Sequence, residues 1–547
     1  MRLSGHTRTR AALAATASAA LLIGLPATAG AMTDDSTLTP ATHFVMAADG
    51  SSGLTAHGKG IPNIDSVKST IRAYYNAPTG IANKTDSPYI TEMKAMEAGI
   101  LAQIPTAPAP NLAVVFDADD TTLWTYDMED GAMHFNFDPT LQGTWVHDGL
   151  FPATPGMVDF VKAVADKGYN VYGLTGRGES QEADTLANLS KVGYTEFNAD
   201  NFFTKFGSAD TKPAYLDCHT SVDPADDPAK CTTVEYKAGT RKHIEQDLGQ
   251  TIVLNIGDQW SDLQGGYALH TVKLPNPTYY LPSPDIQGAP STDSQLTPKT
   301  EFDMQPDGSS GKTVGGENIP NIDSVKSTIR TYYGAPSGLA NADTSPYISD
   351  LSNIENLWTK RLTNRCARGV AHGTKPAVVF DADDTTLWTY NMEDAAMHFN
   401  FDPTLQNTWV QEGRFPAVPG MPAVVNAAKA AGCKIIGLTG RNNAQRVATL
   451  DNLAKYYYDD NDNALFKSQY YFTKWTSTDT PPAYIDCAQD SDATKCSTIE
   501  YKSSTRKYVE DHFGFHIIAN FGDQFSDLIG QHSDNVIKLP NPTYYLP

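Results

Sequence analysis

A chain of 547 residues is too long for one ordinary core, so at least two domains are expected. Apolar residues at 40% and charged residues at 19% fit a globular protein and exclude a disordered polyelectrolyte. A formal charge of −22 repels nucleic acid and anionic membranes, so neither is expected as a partner.

The first 31 residues read as a secretory signal. Arg2, Arg8 and Arg10 form a basic start, and Ala11 to Leu25 is the apolar centre. Ala27-Thr28-Ala29 or Ala29-Gly30-Ala31 offers a small-x-small cleavage site. No later run reaches the roughly 18 apolar residues of a membrane span, so a soluble, exported protein is expected. From Thr39 the chain divides into two similar copies, 39–282 and 297–547. Ile61-Pro62-Asn63-Ile64-Asp65-Ser66-Val67-Lys68 returns as Ile319 to Lys326, and Lys273 to Pro282 returns as Lys538 to Pro547. Residues 283–296, rich in Pro, Gly, Ser and Asp, form the linker between them. A period this long implies duplicated domains, for which packing as a pseudo-dimer is one expected arrangement.

Within the first copy, a helix is expected over about Asn63 to Tyr75, and a second opens at Ser87-Pro88, a cap followed by a first-turn proline. The run Leu112 to Asp117 is a buried strand ending in carboxylates. Trp124 to Pro152 reads as an irregular, aromatic-rich insert, suited to a small cap over the site. A helix from near Thr154-Pro155 stops at Gly168, and strand Asn170 to Leu174 runs into Thr175-Gly176-Arg177. Helix Glu179 to Lys191 closes at Gly193, helix Val234 to Leu248 follows, strand Thr251 to Ile256 meets Gly257-Asp258, and a short strand covers Thr271 to Leu274. Strands alternating with helix-length segments define an α/β fold, here two tandem, doubly wound, Rossmann-like parallel sheets.

Six cysteines suit an oxidising compartment. Cys218 and Cys231 flank an acidic loop, as do Cys487 and Cys496, and each pair is expected to form a local disulfide. Counting from the aspartate motif, Cys366 and Cys433 correspond to Ala102 and Tyr169. Both are present in one copy and absent from the other, so they too are expected to pair.

The chemistry gathers at strand ends. Asp117 and Asp119 follow the first strand, Thr175 the second, Asp258 and Asp262 a later one, and a parallel sheet brings all of them to one edge. Four carboxylates together call for a cation, and hard oxygen ligands favour Mg²⁺. One carboxylate can attack phosphorus while another, two residues on, donates and removes protons. A hydroxyl and a lysine can hold the phosphoryl oxygens; Thr175 supplies the first, Lys237 is the best candidate for the second, and Lys205 competes with it. The segment is no EF-hand, because its sixth place is Thr122 rather than glycine and its twelfth is Met128.

The order DxDxT, strand-terminal Thr, Lys and GDxxxD resembles the haloacid dehalogenase superfamily. Leu174-Thr175-Gly176-Arg177, Glu235-Tyr236-Lys237, Gly257-Asp258-Gln259-Trp260-Ser261-Asp262-Leu263 and Lys273-Leu274-Pro275-Asn276-Pro277 resemble more closely the acid phosphatases related to plant vegetative storage proteins. That resemblance implies a Mg²⁺-dependent acid phosphatase acting on small-molecule phosphomonoesters. Asp117 would be the nucleophile and Asp119 the general acid/base. Asp117, the Asp119 carbonyl and Asp258 would hold the metal with Asp262 in support, and Thr175 and Lys237 would bind phosphate. In the second copy the same roles fall on Asp381, Asp383, Thr439, Lys502, Asp523 and Asp527. The alternative is a storage or binding protein on a phosphatase scaffold.

Overall fold

Leu112-Ala113-Val114-Val115-Phe116 is apolar at every position because both faces of its sheet are covered. In the computed structural model, which describes residues 61–223, 227, 229–289, 319–476, 478–487 and 496–546, this run is the central strand β1. The expected signal segment, 1–31, lies outside the described residues, and none of the described helices is long and apolar enough to cross a membrane.

The first half runs α1 (Ile64–Tyr74), α2 (Pro88–Gln103), β1 (Leu112–Phe116), α3 (Pro139–His147), α4 (Met157–Asp166), β2 (Asn170–Gly178), α5 (Glu182–Val192), β3 (Phe202–Lys205), α6 (Thr233–Gln246), β4 (Thr251–Gly257), α7 (Trp260–Leu263) and β5 (Thr271–Lys273). The second half repeats it with α8 (Ile322–Tyr333), α9 (Pro346–Ala371), β6 (Pro376–Phe380), α10 (Pro403–Gln411), α11 (Met421–Ala430), β7 (Lys434–Asn442), α12 (Arg446–Ala454), β8 (Tyr471–Lys474), α13 (Thr498–Phe513), β9 (His516–Gly522), α14 (Phe525–Leu528) and β10 (Val536–Lys538). Each half holds a five-stranded sheet, β3-β2-β1-β4-β5 and β10-β9-β6-β7-β8, with every pairing parallel. The expected pair of α/β parallel sheets is therefore present.

Alternation along β1 divides the core. Ala113 and Val115 pack with Tyr236 and Ile244 of α6, whereas Val114 and Phe116 join the cluster built by α1, α2 and α4. Each fully buried valine or phenylalanine contributes about 1.5–3 kcal/mol. The insert is not irregular as expected. It contains a π-helical turn, Asp127–Ala132, and α3, which Asp138 caps at the amides of Thr140 and Leu141 ahead of Pro139. Its aromatic residues divide too. Trp124 and Tyr126 are buried against Tyr75, whereas Phe137 is 63% exposed.

Cys218–Cys231, Cys366–Cys433 and Cys487–Cys496 are all bonded. The start of the expected linker is tied to the first half: the Val222 amide donates to Asp285 O at 2.8 Å, and the Val234 amide to Ser283 Oγ at 3.2 Å. Residues 290–296 lie outside the described residues.

Each half meets the other through its first helix. The Ile322 amide donates to Pro277 O at 2.9 Å, and Asn321 Nδ2 to Tyr279 O at 2.7 Å. Symmetrically, the Ile64 amide donates to Pro542 O at 2.9 Å, and Asn63 Nδ2 to Tyr544 O at 2.8 Å. α1 and α8 touch, and Ile64, Val67 and Ile71 share one apolar cluster with Ile322, Val325 and Ile329.

Glu97 of α2 and Glu355 of α9 are buried against Gly156 and Gly420, two left-handed glycines at which any Cβ would strike the carboxyl group. Burial pushes each glutamate from 4.5 up to about 8. The folded form therefore keeps a proton that the unfolded chain releases near pH 4.5. Stability from these groups is full below that pH and declines as pH rises towards 8, by up to about 1.4 kcal/mol per pH unit per group. Melting temperatures between pH 4.5 and 8 should fall less steeply for Glu97→Gln/Glu355→Gln than for the natural chain. Parallel curves would remove these glutamates from the explanation.

Candidate active site

β1 ends at Phe116, and the chain turns at once. The Asp117 amide still donates to Ile256 O of β4 at 3.0 Å. The next residues wind around the Ala118 carbonyl, which accepts from the Thr122 and Leu123 amides at 2.9 and 2.8 Å. Asp120 adopts a left-handed φ of 46°. Its carboxyl group accepts from the Thr125 amide at 3.0 Å and from the Thr125 hydroxyl, closing the turn.

Asp117 is 6% exposed, and its Oδ1 accepts from Lys237 Nζ at 2.6 Å. The same ammonium donates to Asp262 Oδ1 at 2.5 Å, and Asp262 Oδ2 accepts from the Gln259 amide at 2.8 Å. Asp258 Oδ2 accepts from Gln259 Nε2 at 2.8 Å and Asn276 Nδ2 at 2.7 Å. Gly257 allows this crowding, since a Cβ there would lie 2.5 Å from that of Asp262. One turn beyond Lys237 on α6, the buried Arg241 donates to the carbonyls of Asp262, Gln264 and Gly266, tying α7 and the following loop to the lysine's helix. Lys205 ends β3 outside these contacts, its ammonium pushed down by burial and by Lys237.

Asp119 is held separately. Arg177 Nη2 donates to its Oδ1 at 2.6 Å and Nε to its Oδ2 at 3.1 Å, while Nη1 donates to Thr185 Oγ1 at 3.1 Å. The guanidinium lies 4.8 Å from the centre of the Phe151 ring. Thr175 is fully buried in β2, and its hydroxyl accepts from the Arg177 amide at 3.2 Å. Sequence reasoning gave no role to Arg177 or Asn276. Both sit inside the quoted motifs, in Thr-Gly-Arg and Leu-Pro-Asn-Pro, and both recur as Arg441 and Asn541. That recurrence was the available signal.

The second half repeats the arrangement. Lys502 Nζ donates to Asp381 Oδ1 at 2.6 Å and also to Asp527, and Arg441 Nη2 donates to Asp383 Oδ1 at 2.6 Å. Asp523 Oδ2 accepts from Asn541 Nδ2 at 2.8 Å and from the Tyr544 hydroxyl at 3.0 Å. Thr439 is buried at the corresponding place in β7.

Burial pushes the Asp117 carboxyl well above the usual range, against the pull of Lys237, and Asp262 and Asp258 push it further. Burial, then Asp262, raises Asp258 to about 6. Burial alone would lower Lys237, but Asp117 and Asp262 outweigh it and hold the ammonium charged. Three carboxylates thus gather around one hydrogen-bonded ammonium, Lys237, while Lys273 partly offsets the rise at Asp258. Those of Asp117, Asp258 and Asp262 each offer an oxygen within 4.8 Å of the others, as do Asp381, Asp523 and Asp527. Asp258 Oδ1 is buried without a hydrogen-bond partner. An anionic oxygen stranded in this way, among hard donors, fits a divalent cation. The side chain of Asp119 stands outside this cluster.

Around the carboxylates each half opens a cavity, of about 450 Å³ in the first and about 590 Å³ in the second. Phe135, Phe137, Glu129 and Arg177 line the first; Phe401, Glu393 and Arg441 line the second.

A parallel α/β sheet whose strand ends gather an aspartate pair, a lysine and two further aspartates defines a haloacid dehalogenase-type fold and site. The chain belongs to the HAD superfamily, subfamily IIIB (acid phosphatase), whose family model matches residues 62–282, 335–478 and 486–547. Its curated relatives include the stem 28 kDa glycoprotein of Glycine max, 34% identical over 31% of this chain and 61% of the relative. Acid phosphatase 1 of Solanum lycopersicum is 30% identical over 30% of this chain and 58% of the relative. Vegetative storage protein 1 of Arabidopsis thaliana is 29% identical over 31% and 55%. The matched stretch thus spans 61% or less of each of these relatives. Among solved structures, the class C acid phosphatase of Bacillus anthracis with tungstate bound is 21% identical, covering 37% of this chain and 72% of that one at a TM-score of 0.27.

Proposed function

We propose that the protein is a secreted, Mg²⁺-dependent acid phosphatase that hydrolyses small phosphomonoesters at two sites. The observation that carries this reading is the division of labour between two aspartates two residues apart. Asp117 lies against an ammonium in a buried cluster, whereas Asp119 is turned away and fixed by Arg177. In the first step an Asp117 oxygen attacks phosphorus, the ester oxygen departs, and Asp119 gives it a proton. In the second, Asp119 takes a proton from water, whose oxygen attacks the aspartyl-phosphate, releasing phosphate and restoring Asp117. Arg177 keeps Asp119 in place through both steps. Lys237 neutralises the nucleophile and, with the Thr175 hydroxyl, holds phosphoryl oxygens. Asp117, the Asp119 carbonyl, Asp258 and Asp262 would hold Mg²⁺, which supplies charge neutralisation and orientation of the phosphoryl group. Asp381, Asp383, Thr439, Lys502, Asp523 and Asp527 take these roles in the second half.

The domains of this reading are 39–282 and 297–547, after a signal over 1–31 and joined by 283–296. Their reciprocal contacts through α1 and α8 support packing as a pseudo-dimer. Three disulfides are consistent with export.

Purified protein should hydrolyse a chromogenic aryl phosphate, lose that activity in EDTA and recover it on addition of Mg²⁺. Absence of turnover on any phosphomonoester between about pH 4 and 7, with Mg²⁺ present, would favour the storage or binding reading instead.

A further inference from the structure

Just ahead of the exposed aromatic residue that lines each cavity, Phe137 or Phe401, runs a backbone that its own hydrogen bonds hold only in part. His134 and Phe135 are successive non-glycine residues with φ of 49° and 59°, and His398 and Phe399 repeat this at 49° and 60°. Left-handed backbone at a bulky residue is unfavourable and persists where the surroundings fix it. Part of the fixing is local, since the His134 amide donates to Asp130 O at 3.1 Å and the Phe135 amide to Glu129 O at 2.6 Å. The Phe135 carbonyl, however, is taken by Lys326 Nζ, from the first helix of the other half. The Phe399 carbonyl is likewise taken by Lys68 Nζ, which also donates to Asn400 Oδ1 at 3.1 Å. Both lysines are buried, at 8% and 6% exposure.

The exchange extends to the cavity lining. Asp323, one turn before Lys326 and 3.1 Å from its ammonium, lines the cavity around Asp117. Asp65 lines the cavity around Asp381. The Tyr280 amide holds Asp323 Oδ2 at 3.1 Å, and the Tyr545 amide holds Asp65 Oδ2 at 3.2 Å. A buried ammonium with a main-chain acceptor has little freedom to move, because leaving it unpaired is costly.

We propose that each half completes the other's pocket: Lys326 clamps the aromatic wall beside Asp117, and Lys68 clamps the wall beside Asp381. Both are positioning residues, acting through the main chain that carries Phe135 with Phe137, and Phe399 with Phe401. The kinetic consequence rests on the phosphatase reading above; the clamp itself does not.

The test uses the full chain. Asp381→Asn confines turnover to the first pocket and Asp117→Asn to the second. In Asp381→Asn protein, Lys326→Met should raise the KM for an aryl phosphate about fivefold while kcat stays within about twofold, and Lys326→Arg should restore most of the loss. Lys68→Met should act in this way only in Asp117→Asn protein. Equal effects of either lysine in both backgrounds, or no effect of either, overturn the proposal. Amide hydrogen exchange requires no turnover. Lys326→Met should speed exchange at residues 134–136 about tenfold and spare 398–400, with Lys68→Met doing the reverse. Unchanged rates at both segments overturn the clamp, whereas failure of the phosphatase reading alone would leave the crossed exchange pattern intact.

Discussion

Replacing Asp117 and Asp381 together with asparagine should abolish phosphomonoester turnover, by about a thousandfold or more. The amide keeps the shape of the carboxylate but cannot form the acyl phosphate, and in both halves the aspartate at the end of the central strand accepts directly from the buried ammonium. Each single replacement should leave about half of the activity if the two pockets work independently. Progress curves with an aryl phosphate and a burst of protein-bound phosphate after acid quench would check both points. Full turnover by the double variant would show that another group attacks phosphorus.

The second large effect concerns Lys237 and Lys502. Lys237→Met removes the ammonium shared by Asp117 and Asp262, leaving buried carboxylates uncompensated. Breaking a buried ion pair in this way costs about 3–5 kcal/mol. The same change removes a charge from the phosphoryl site, for a loss of about 10²–10³ in kcat. Denaturant unfolding and single-turnover kinetics separate the two contributions. Added Mg²⁺ should recover part of the stability, since a cation among the three aspartates replaces the missing charge, but not the rate. A variant with natural stability and rate would remove Lys237 from the site and return Lys205 to consideration.

The elements legible in the sequence are those with local causes. β1 and β4 announce themselves as apolar, β-branched runs that stop at acids, and Asn63, Ser87 and Gly193 mark helix ends where caps are observed. The grouping of Asp117, Lys237, Asp258 and Asp262 followed from the rule that parallel strand ends converge. The edge strand β3 was missed because it has only four residues, following a polar loop. α3 was missed because aromatic residues and glycine obscure its periodicity, although Asp138-Pro139 was a usable start signal. The pairing of Arg177 with Asp119 spans 58 residues, and nothing in either local sequence points to the other. The reciprocal lysines are less legible still. Two equal copies do not say which surfaces meet.

The Cys366–Cys433 bond has a consequence for how the two copies can diverge. It joins α9 to the approach of β7 and encloses the whole segment that carries Asp381 and its cavity wall, a separation of 67 residues. Closing a loop of that size in the unfolded chain is worth about 4 kcal/mol in the chain-entropy account. Typical substitutions cost about 1 kcal/mol each, so the bond gives the second copy room for several that the first could not absorb. In evolutionary terms the stapled copy is the more permissive one. Its α9, at 26 residues against 16 for α2, has already taken a course of its own.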